Sequence, residues 1–141
     1  MIRFSKKEDY AVILINKLVQ NYSKRLIPLS EIAKEYKISV LFLRNLAGQL
    51  KKSGIIEAVE GKNGGYYLAK EPKDFKVGEV LSVFSKKPML DCCPLESLKI
   101  KKIKCAKEDY CIPGFVWRKL NKSFLEKIYN LSLDEFVNYK E

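Results

Sequence analysis

The chain begins with two segments in which hydrophobic residues recur every three or four positions. The spacing over residues 8–20 predicts a helix, because it makes one side of the segment apolar. Ser5 followed by Glu8 has the spacing of a capping box, which satisfies free backbone N–H groups at a helix start. Residues 32–36 predict a short second helix with Ser30 as its N-cap.

A third segment with helical spacing covers residues 40–53. Gly54 is expected to end this helix, because glycine is common just past helix C-termini. A short turn separates the second and third helices, a pattern typical of a helix-turn-helix. The apolar stripe predicted to face the core consists of Leu43, Leu46, Ala47 and Leu50.

A hairpin is predicted directly after the third helix. Residues 55–59 and 66–69 are strand-like, and the tip between them is rich in glycine. A hairpin in this position is a wing. Lys62 is its basic tip residue, and glycines at a tip let the backbone approach a phosphate closely.

The second half of the chain predicts further helices. Residues 76–84 form a short helix, and residues 113–131 form a long amphipathic one that starts at Pro113. Ser132 caps a last helix over residues 133–139. Residues 86–107, between the short helix and the long one, show no clear periodicity of hydrophobic residues and are interpreted as a loop. The pattern predicts an α+β fold, mostly α, divided into a winged helix-turn-helix domain (1–72) and a C-terminal region (73–141).

The net charge of the chain favours nucleic-acid binding. The 141 residues include 27 basic and 17 acidic ones, a net charge of +10. This balance is typical of a nucleic-acid binder, although a lysine-rich soluble protein would share it. We expect no membrane-spanning segment, because no apolar run of about 18 residues occurs. The charged start does not resemble a signal peptide, so a cytoplasmic location is expected.

Enzyme chemistry is not expected. Histidine is absent from the chain, which excludes Ser-His-Asp and Cys-His catalysis. The phosphate-binding patterns GxxxxGK[ST] and GxGxxG are absent as well.

The winged helix-turn-helix pattern predicts that the third helix enters the major groove of double-stranded DNA. Residues near its N-terminus, Ser39, Leu41 and Arg44, would contact base edges. Lysines at its end and in the wing would contact phosphates. The complete set of predicted DNA contacts is Arg3, Ser30, Ser39, Leu41, Arg44, Lys51, Lys52, Lys62, Asn63 and Gly64.

Four cysteines, Cys92, Cys93, Cys105 and Cys111, lie close together in the sequence. Such a group in a reducing compartment indicates metal binding or redox chemistry rather than structural disulfides. The spacing is not that of a zinc ribbon or a bacterial ferredoxin. The alternative is that these are small buried residues.

The chain resembles a known family, the IscR/NsrR/CymR (Rrf-type) winged-helix repressors. The resemblance covers nearly the whole chain and includes the Gly-Gly-Tyr wing together with the cysteine loop. It rests on Arg3-Phe4-Ser5, Tyr10-Ala11, Leu29-Ser30-Glu31-Ile32-Ala33, Ile38-Ser39, Leu43, Leu46, Leu50-Lys51-Lys52-Ser53-Gly54-Ile55-Ile56, Gly61-Lys62-Asn63-Gly64-Gly65-Tyr66-Tyr67-Leu68-Ala69 and Val116-Trp117.

The resemblance implies a homodimer in which helix 113–131 is the dimerisation helix and the operator is pseudo-palindromic. It also implies an iron–sulfur cluster, [4Fe-4S] or [2Fe-2S], held by Cys92, Cys105 and Cys111. Cys93 is the spare cysteine, and it and Cys92 could exchange roles.

The fourth ligand differs between branches of the family. The histidine used by members of the IscR kind corresponds to Gly114 here. Members of the NsrR kind use an acidic residue from the other subunit, and the matching position is Asp9. A carboxylate holds cluster iron less firmly than a thiolate does, which suits a sensor. The alternative interpretation of Asp9 is a carboxylate in the first turn of a helix, where the helix dipole favours a negative charge.

These features predict a dimeric DNA-binding transcriptional repressor that senses redox, nitric oxide or iron–sulfur status through the cluster. Two alternatives stay open. One is a cluster-free repressor controlled by a protein partner or a small effector. The other is a zinc-stabilised DNA-binding protein.

Overall fold

The computed structural model describes residues 5–84 and 110–139. Six helices and one two-stranded antiparallel sheet are found in these ranges. In chain order they are α1 (Lys6–Gln20), α2 (Leu29–Tyr36), α3 (Val40–Lys52), β1 (Ile56–Val59), β2 (Gly65–Leu68), α4 (Val77–Phe84), α5 (Ile112–Asn130) and α6 (Leu133–Val137), with a 3₁₀ turn at Pro72–Asp74 before α4.

Helix α1 begins as predicted. The backbone N–H of Glu8 donates to Ser5 Oγ at 3.3 Å. The Ser5 N–H donates back to Glu8 Oε2 at 2.6 Å. Ser132 and Glu135 form the same reciprocal pair at the start of α6. Both capping boxes arise from residues three apart, so they can be predicted without knowing the fold.

The predicted N-cap of α2 is wrong. The helix begins at Leu29, with Pro28 as its N-cap, and Ser30 lies in the first turn without capping it. The Pro28 carbonyl accepts the Glu31 N–H at 3.1 Å. Proline already has a backbone angle suited to a helix start, and Leu29 is buried in the core. Both effects favour the earlier start.

The wing is anchored to the body of the protein. Strands β1 and β2 pair from Ile56 opposite Leu68 to Val59 opposite Gly65. Ile27, just before α2, exchanges two hydrogen bonds with Tyr66, at 3.0 and 2.9 Å. These bonds attach the hairpin to the loop that starts the helix-turn-helix.

One hydrophobic core joins the two halves of the chain. Leu14 of α1 and Leu43 of α3 are fully buried at its centre. The same cluster includes Val77, Val80 and Leu133, which follow residue 72. Because the two parts share a core, packing does not separate them. The division into a DNA-binding domain (1–72) and a C-terminal region (73–141) stays a prediction about what each part does.

Helix α5 rests on the core through its C-terminal part. The Val77 N–H donates to the Leu131 carbonyl at 2.8 Å, next to the end of α5. A Cβ at Gly78 of α4 would lie 2.5 Å from the Tyr129 ring, so α4 and α5 approach as closely as a glycine permits. Helix α5 has 19 residues, but no helix within the described ranges is long and apolar enough to cross a membrane.

Candidate functional site

The structure places α3 with one side in the core and the other in solvent. All four residues of the predicted stripe are buried. Because the buried positions follow the helical repeat, the exposed ones form a continuous face. This face, the α3 outer face, consists of Val40, Leu41, Arg44, Asn45, Gly48, Lys51 and Lys52.

Three members of this face, Val40, Asn45 and Gly48, are absent from the sequence-based set of DNA contacts. The signal for Asn45 and Gly48 was present, since they follow Leu41 by four and seven positions and so share its side of a helix. Leu41 itself is 72% exposed, so its side chain is accessible at the N-terminal end of this face.

The turn before α3 sets the direction of its first residues. Lys37 has a φ of 54° in the left-handed region, which ends α2 and redirects the chain. Ser39 is the N-cap of α3, but its side chain makes no capping hydrogen bond. Its hydroxyl makes no hydrogen bond with the part of the chain that the structure describes. The ring of Phe42 meets Tyr10 of α1 edge to face, 5.5 Å between centroids, and so fixes the N-terminal turn of α3 against α1.

The cations on the α3 outer face have no ion-pair partner among the described residues. Arg44, Lys51 and Lys52 make no salt bridge within residues 5–84 and 110–139. The sequence also contains no acidic residue between positions 36 and 56. Positive charge is thus concentrated on this face.

Two cations beside α2, Lys17 and Arg25, are paired instead. The two terminal guanidinium nitrogens of Arg25, Nη1 and Nη2, donate to the Glu31 carboxylate at 2.7 and 2.6 Å. Lys17 Nζ lies 2.6 Å from Glu35 Oε2. The hydrogen bonds from Arg25 hold the pKa of Glu31 below its usual value. The hydrogen bond to Glu35 raises the pKa of Lys17. These pairs keep both partners ionised and neutralise the surface beside α2.

The tip of the wing carries the remaining predicted contacts. Lys62 and Asn63 are exposed, and Gly61 has a φ of 118° that favours glycine. Gly64 is different, because a Cβ there would collide with the Val59 carbonyl oxygen. This internal contact explains why position 64 lacks a side chain, and a contact of Gly64 with DNA stays a prediction.

The two other predicted DNA contacts lie away from α3. Ser30 is exposed on α2. Arg3 lies outside the described residues.

The predicted metal ligands are described in part. Cys111 is a free, half-buried thiol at the N-cap of α5. A Cβ at buried Gly114, the position matched to the IscR-kind histidine, would lie 3.2 Å from Cys111 Sγ. Asp9 is exposed in the first turn of α1. Within the described ranges no three His, Cys, Asp or Glu residues form a metal-binding group. Cys92, Cys93 and Cys105 lie outside these ranges.

A helix-turn-helix followed by a two-stranded wing, with unpaired cations on the second helix, defines a winged-helix DNA-binding protein. Solved structures share this fold. CymR (YrzC), the global cysteine regulator of B. subtilis, has a TM-score of 0.75 at 20% identity, with both chains fully covered. IscR of T. potens has a TM-score of 0.73 at 28% identity, covering 96% of this chain and 86% of that one.

Sequence comparison identifies the family. Residues 4–139 match the Rrf2 family, described as iron-dependent transcriptional regulator. The HTH-type transcriptional regulator IscR of Pectobacterium atrosepticum is 30% identical over 141 residues, 99% of this chain and 82% of the relative. IscR of Escherichia coli is 30% identical over 140 residues, covering 99% and 83%. The chain belongs to the Rrf2 family of transcriptional regulators, whose members are not enzymes.

Proposed function

We propose that this regulator is a homodimeric repressor that binds a pseudo-palindromic operator and senses redox, nitric oxide or iron–sulfur status. The observation that carries the DNA-binding part is the α3 outer face, which is exposed and free of acidic residues. Its cations lack partners among the described residues, whereas Lys17 and Arg25 on and beside α1 are paired. A duplex supplies the missing anions.

The contacts divide by chemistry. Ser39, Leu41 and Arg44, at the N-terminal end of α3, are suited to base edges in the major groove. Lys51 and Lys52 at its C-terminal end, and Lys62 at the wing tip, are suited to phosphates. Base contacts would give sequence preference, and phosphate contacts would give affinity that falls as salt rises.

The dimer is supported by the exposed side of α5. Ile112 is 73% exposed, and Phe115, Val116, Trp117, Leu120 and Phe124 are exposed on the same helix. Water-exposed apolar residues in such number on one helix indicate an interface. A second copy of α5 is the partner that symmetry favours, because the same patch then serves both subunits.

The cluster part of the proposal rests on the donor set. Cys111 offers a free thiol at a helix start, and the Asp9 carboxylate is exposed, without a bond to any described side chain. Thiolates and a carboxylate are donors that cluster iron accepts. Cys92 or Cys93, Cys105 and Cys111 would hold the group, with the partner subunit's Asp9 completing it. When bound, the group would supply sensitivity to oxidants and nitric oxide.

Asp9 offers a connection from this ligand set to the DNA-binding unit. The next residue, Tyr10, packs edge to face on Phe42 of α3. A change in what Asp9 binds would therefore act on the helix that carries Leu41 and Arg44. Such coupling requires two arrangements of α3 that the sensing group stabilises differently.

DNA binding and assembly are tested together. The full-length protein is used to select sequences from a random double-stranded library, and its mass is measured by light scattering. We expect one enriched sequence with two related half-sites and a mass of two chains. A monomer, or a protein that enriches no sequence, would contradict the proposal.

The cluster is tested by anaerobic purification, a visible spectrum and iron and sulfide counts. We expect a brown protein whose colour is lost in Cys105→Ala, kept in Cys93→Ala if Cys92 is the ligand, and lost faster in air in Asp9→Asn. Asp134→Asn, a change at an exposed first-turn carboxylate on α6, is the matched control for Asp9.

Two results would redirect the proposal. A colourless protein with bound zinc favours the zinc-stabilised alternative. A colourless, metal-free protein after anaerobic reconstitution favours a repressor controlled by a protein partner or a small effector.

A further inference from the structure

Gly48 lies in the middle of α3 without an evident reason inside the chain. All seven glycines are described. Gly54 and Gly61 have positive φ, and a Cβ at Gly64, Gly65, Gly78 or Gly114 would press on neighbouring atoms of the chain. At Gly48 φ is not positive, and a Cβ would meet no described atom within 4 Å beyond the neighbouring backbone of its own helix. Glycine therefore solves no packing problem at this position.

Glycine is also unfavourable there. In an exposed helix interior it is less favourable than alanine by more than almost any other residue, because it loses more backbone freedom on folding. Gly48 is exposed, and α3 continues for four residues beyond it. A residue that weakens its helix and meets no side chain among the described residues indicates a constraint from outside this part of the chain.

The surroundings of Gly48 indicate what lies outside. Arg44 and Asn45 precede it by one turn, and Lys51 and Lys52 follow it by one turn, all exposed on the same face. The bare backbone is thus flanked by side chains suited to bases on one side and to phosphates on the other. Neither Arg44 nor Asn45 has a side-chain hydrogen bond within the described ranges.

We propose that Gly48 is the point where α3 lies closest to the DNA duplex, and that its missing side chain lets Arg44 and Asn45 reach base edges. This inference deepens the proposed function and rests on α3 being the helix that enters the major groove. In that position Arg44 pairs with guanine O6 and N7, and Asn45 pairs with adenine N6 and N7. A methyl group at position 48 pushes the helix away by about one bond length, roughly 1.5 Å, which breaks both pairs.

The test compares folding and DNA binding, because the two should move in opposite directions. The full-length protein and the variants Gly48→Ala, Gly48→Leu and Gln20→Ala are prepared. Gln20 is exposed at the end of α1, so the last variant controls for a neutral helical substitution away from the face. The probe is the duplex that wild type enriches from a random library, with a scrambled duplex of the same composition, at one fixed salt concentration.

We expect Gly48→Ala to melt about 2 to 4 °C higher than wild type, because alanine favours the helix. We expect it to bind the selected duplex at least about thirtyfold more weakly, because two base contacts are lost together. Gly48→Leu should bind more weakly still, since the side chain is larger. Binding to the scrambled duplex should change less, and Gln20→Ala should bind like wild type.

Three outcomes would overturn the inference. If Gly48→Ala binds the selected duplex as tightly as wild type, position 48 is not a close contact, while the proposed function stands. If Gly48→Ala melts lower than wild type, the glycine has an internal role. If wild type enriches no sequence, the proposed function fails and the inference fails with it.

Discussion

Helices α3 and α5 are both amphipathic, yet they present opposite sides to solvent. Helix α3 buries Leu43, Leu46 and Leu50 in its own chain and exposes Arg44, Lys51 and Lys52. Helix α5 exposes Val116, Leu120 and other apolar residues, while the residues it buries are Gly114 and Asn121. The two helices therefore have different kinds of unsatisfied surface.

The difference teaches what each helix needs from outside the chain. An exposed cationic face loses little in water and gains when it meets phosphates and base edges. An exposed apolar face remains unfavourable until it is covered by another apolar surface. The same periodicity thus predicts DNA as the partner of one helix and a second protein surface as the partner of the other.

The largest effect is expected when charges are placed on the exposed apolar face of α5. The double variant Val116→Glu and Leu120→Glu places charges in the proposed interface. We expect the dimer dissociation constant to rise at least about a hundredfold, or about 3 kcal/mol, because the charges would be buried without partners. Sedimentation across a concentration series measures this change.

The control for this variant is Lys34→Glu, which changes the charge by the same two units. Lys34 is exposed on α2 and not on α5, so the variant should remain dimeric. Folding should persist in both proteins, because the substituted side chains are exposed. A double variant that stays dimeric at low concentration would show that α5 does not form the interface.

The next effect concerns how α5 is held to its own chain. Gly78→Ala adds a methyl group against the Tyr129 ring, and we expect a loss of about 1–3 kcal/mol in the free energy of unfolding. Adding Tyr129→Gly should make the Gly78→Ala change nearly neutral, because it removes the ring together with the Tyr129 Cβ, which would lie 2.7 Å from the added methyl group. Thermal or urea unfolding of the four proteins of this cycle measures the coupling. Additive losses would argue against this contact.

The DNA-binding role of α3 is tested by comparing an unpaired arginine on that helix with a paired arginine outside it. Arg44 is unpaired among the described residues, whereas Arg25 binds Glu31 through two hydrogen bonds. We expect Arg44→Ala to weaken binding to the selected duplex by about tenfold and to relax the preference at one base pair. Arg25→Ala should change DNA binding less. Equal losses in the two variants would indicate a general charge effect.

The smallest effect is expected from acid. The pKa of Glu31 is lowered in the folded protein by its hydrogen bonds with Arg25. The stability contributed by this pair is therefore fully present above the ordinary glutamate value of 4.5, and it is lost as the pH falls through the lowered folded value.

Melting temperatures of wild type and Glu31→Gln measure this contribution. Wild type should melt slightly higher near neutral pH, and the difference should shrink below pH 4.5. Glu126→Gln on α5 is the control, because the Glu126 carboxylate has no partner among the described residues. A constant difference across the series would mean that the pair does not stabilise the fold.

Much of the fold was predictable because its signals are local. The Ser5–Glu8 capping box, the end of α3 at Gly54 and the buried stripe of α3 all depend on residues a few positions apart. The predicted wing is confirmed, with strand ends shifted by one residue. The predicted N-cap Ser30 was wrong, because burial of Leu29, a tertiary effect, moved the helix start.

The candidate site was predictable only in its chemistry. Arg44, Lys51 and Lys52 can be identified from the sequence, because basic residues on the second helix of a helix-turn-helix are typical of DNA contacts. Asn45 and Gly48 share the exposed side of α3 with Leu41, which the predicted buried stripe already implied, but neither carries a charge that marks it as a DNA contact. The internal reason for Gly64 was hidden, because it depends on the position of the Val59 carbonyl.

The sequence by itself determined the order of elements, the family and the charge of the α3 outer face, because each follows from residue types at short spacing. Only the tertiary structure decided which surfaces remain uncovered. The Ile27–Tyr66 pairing and the contact of Gly78 with Tyr129 join residues far apart in the chain. Such contacts depend on how helices and strands pack in space, which periodicity along the chain does not specify.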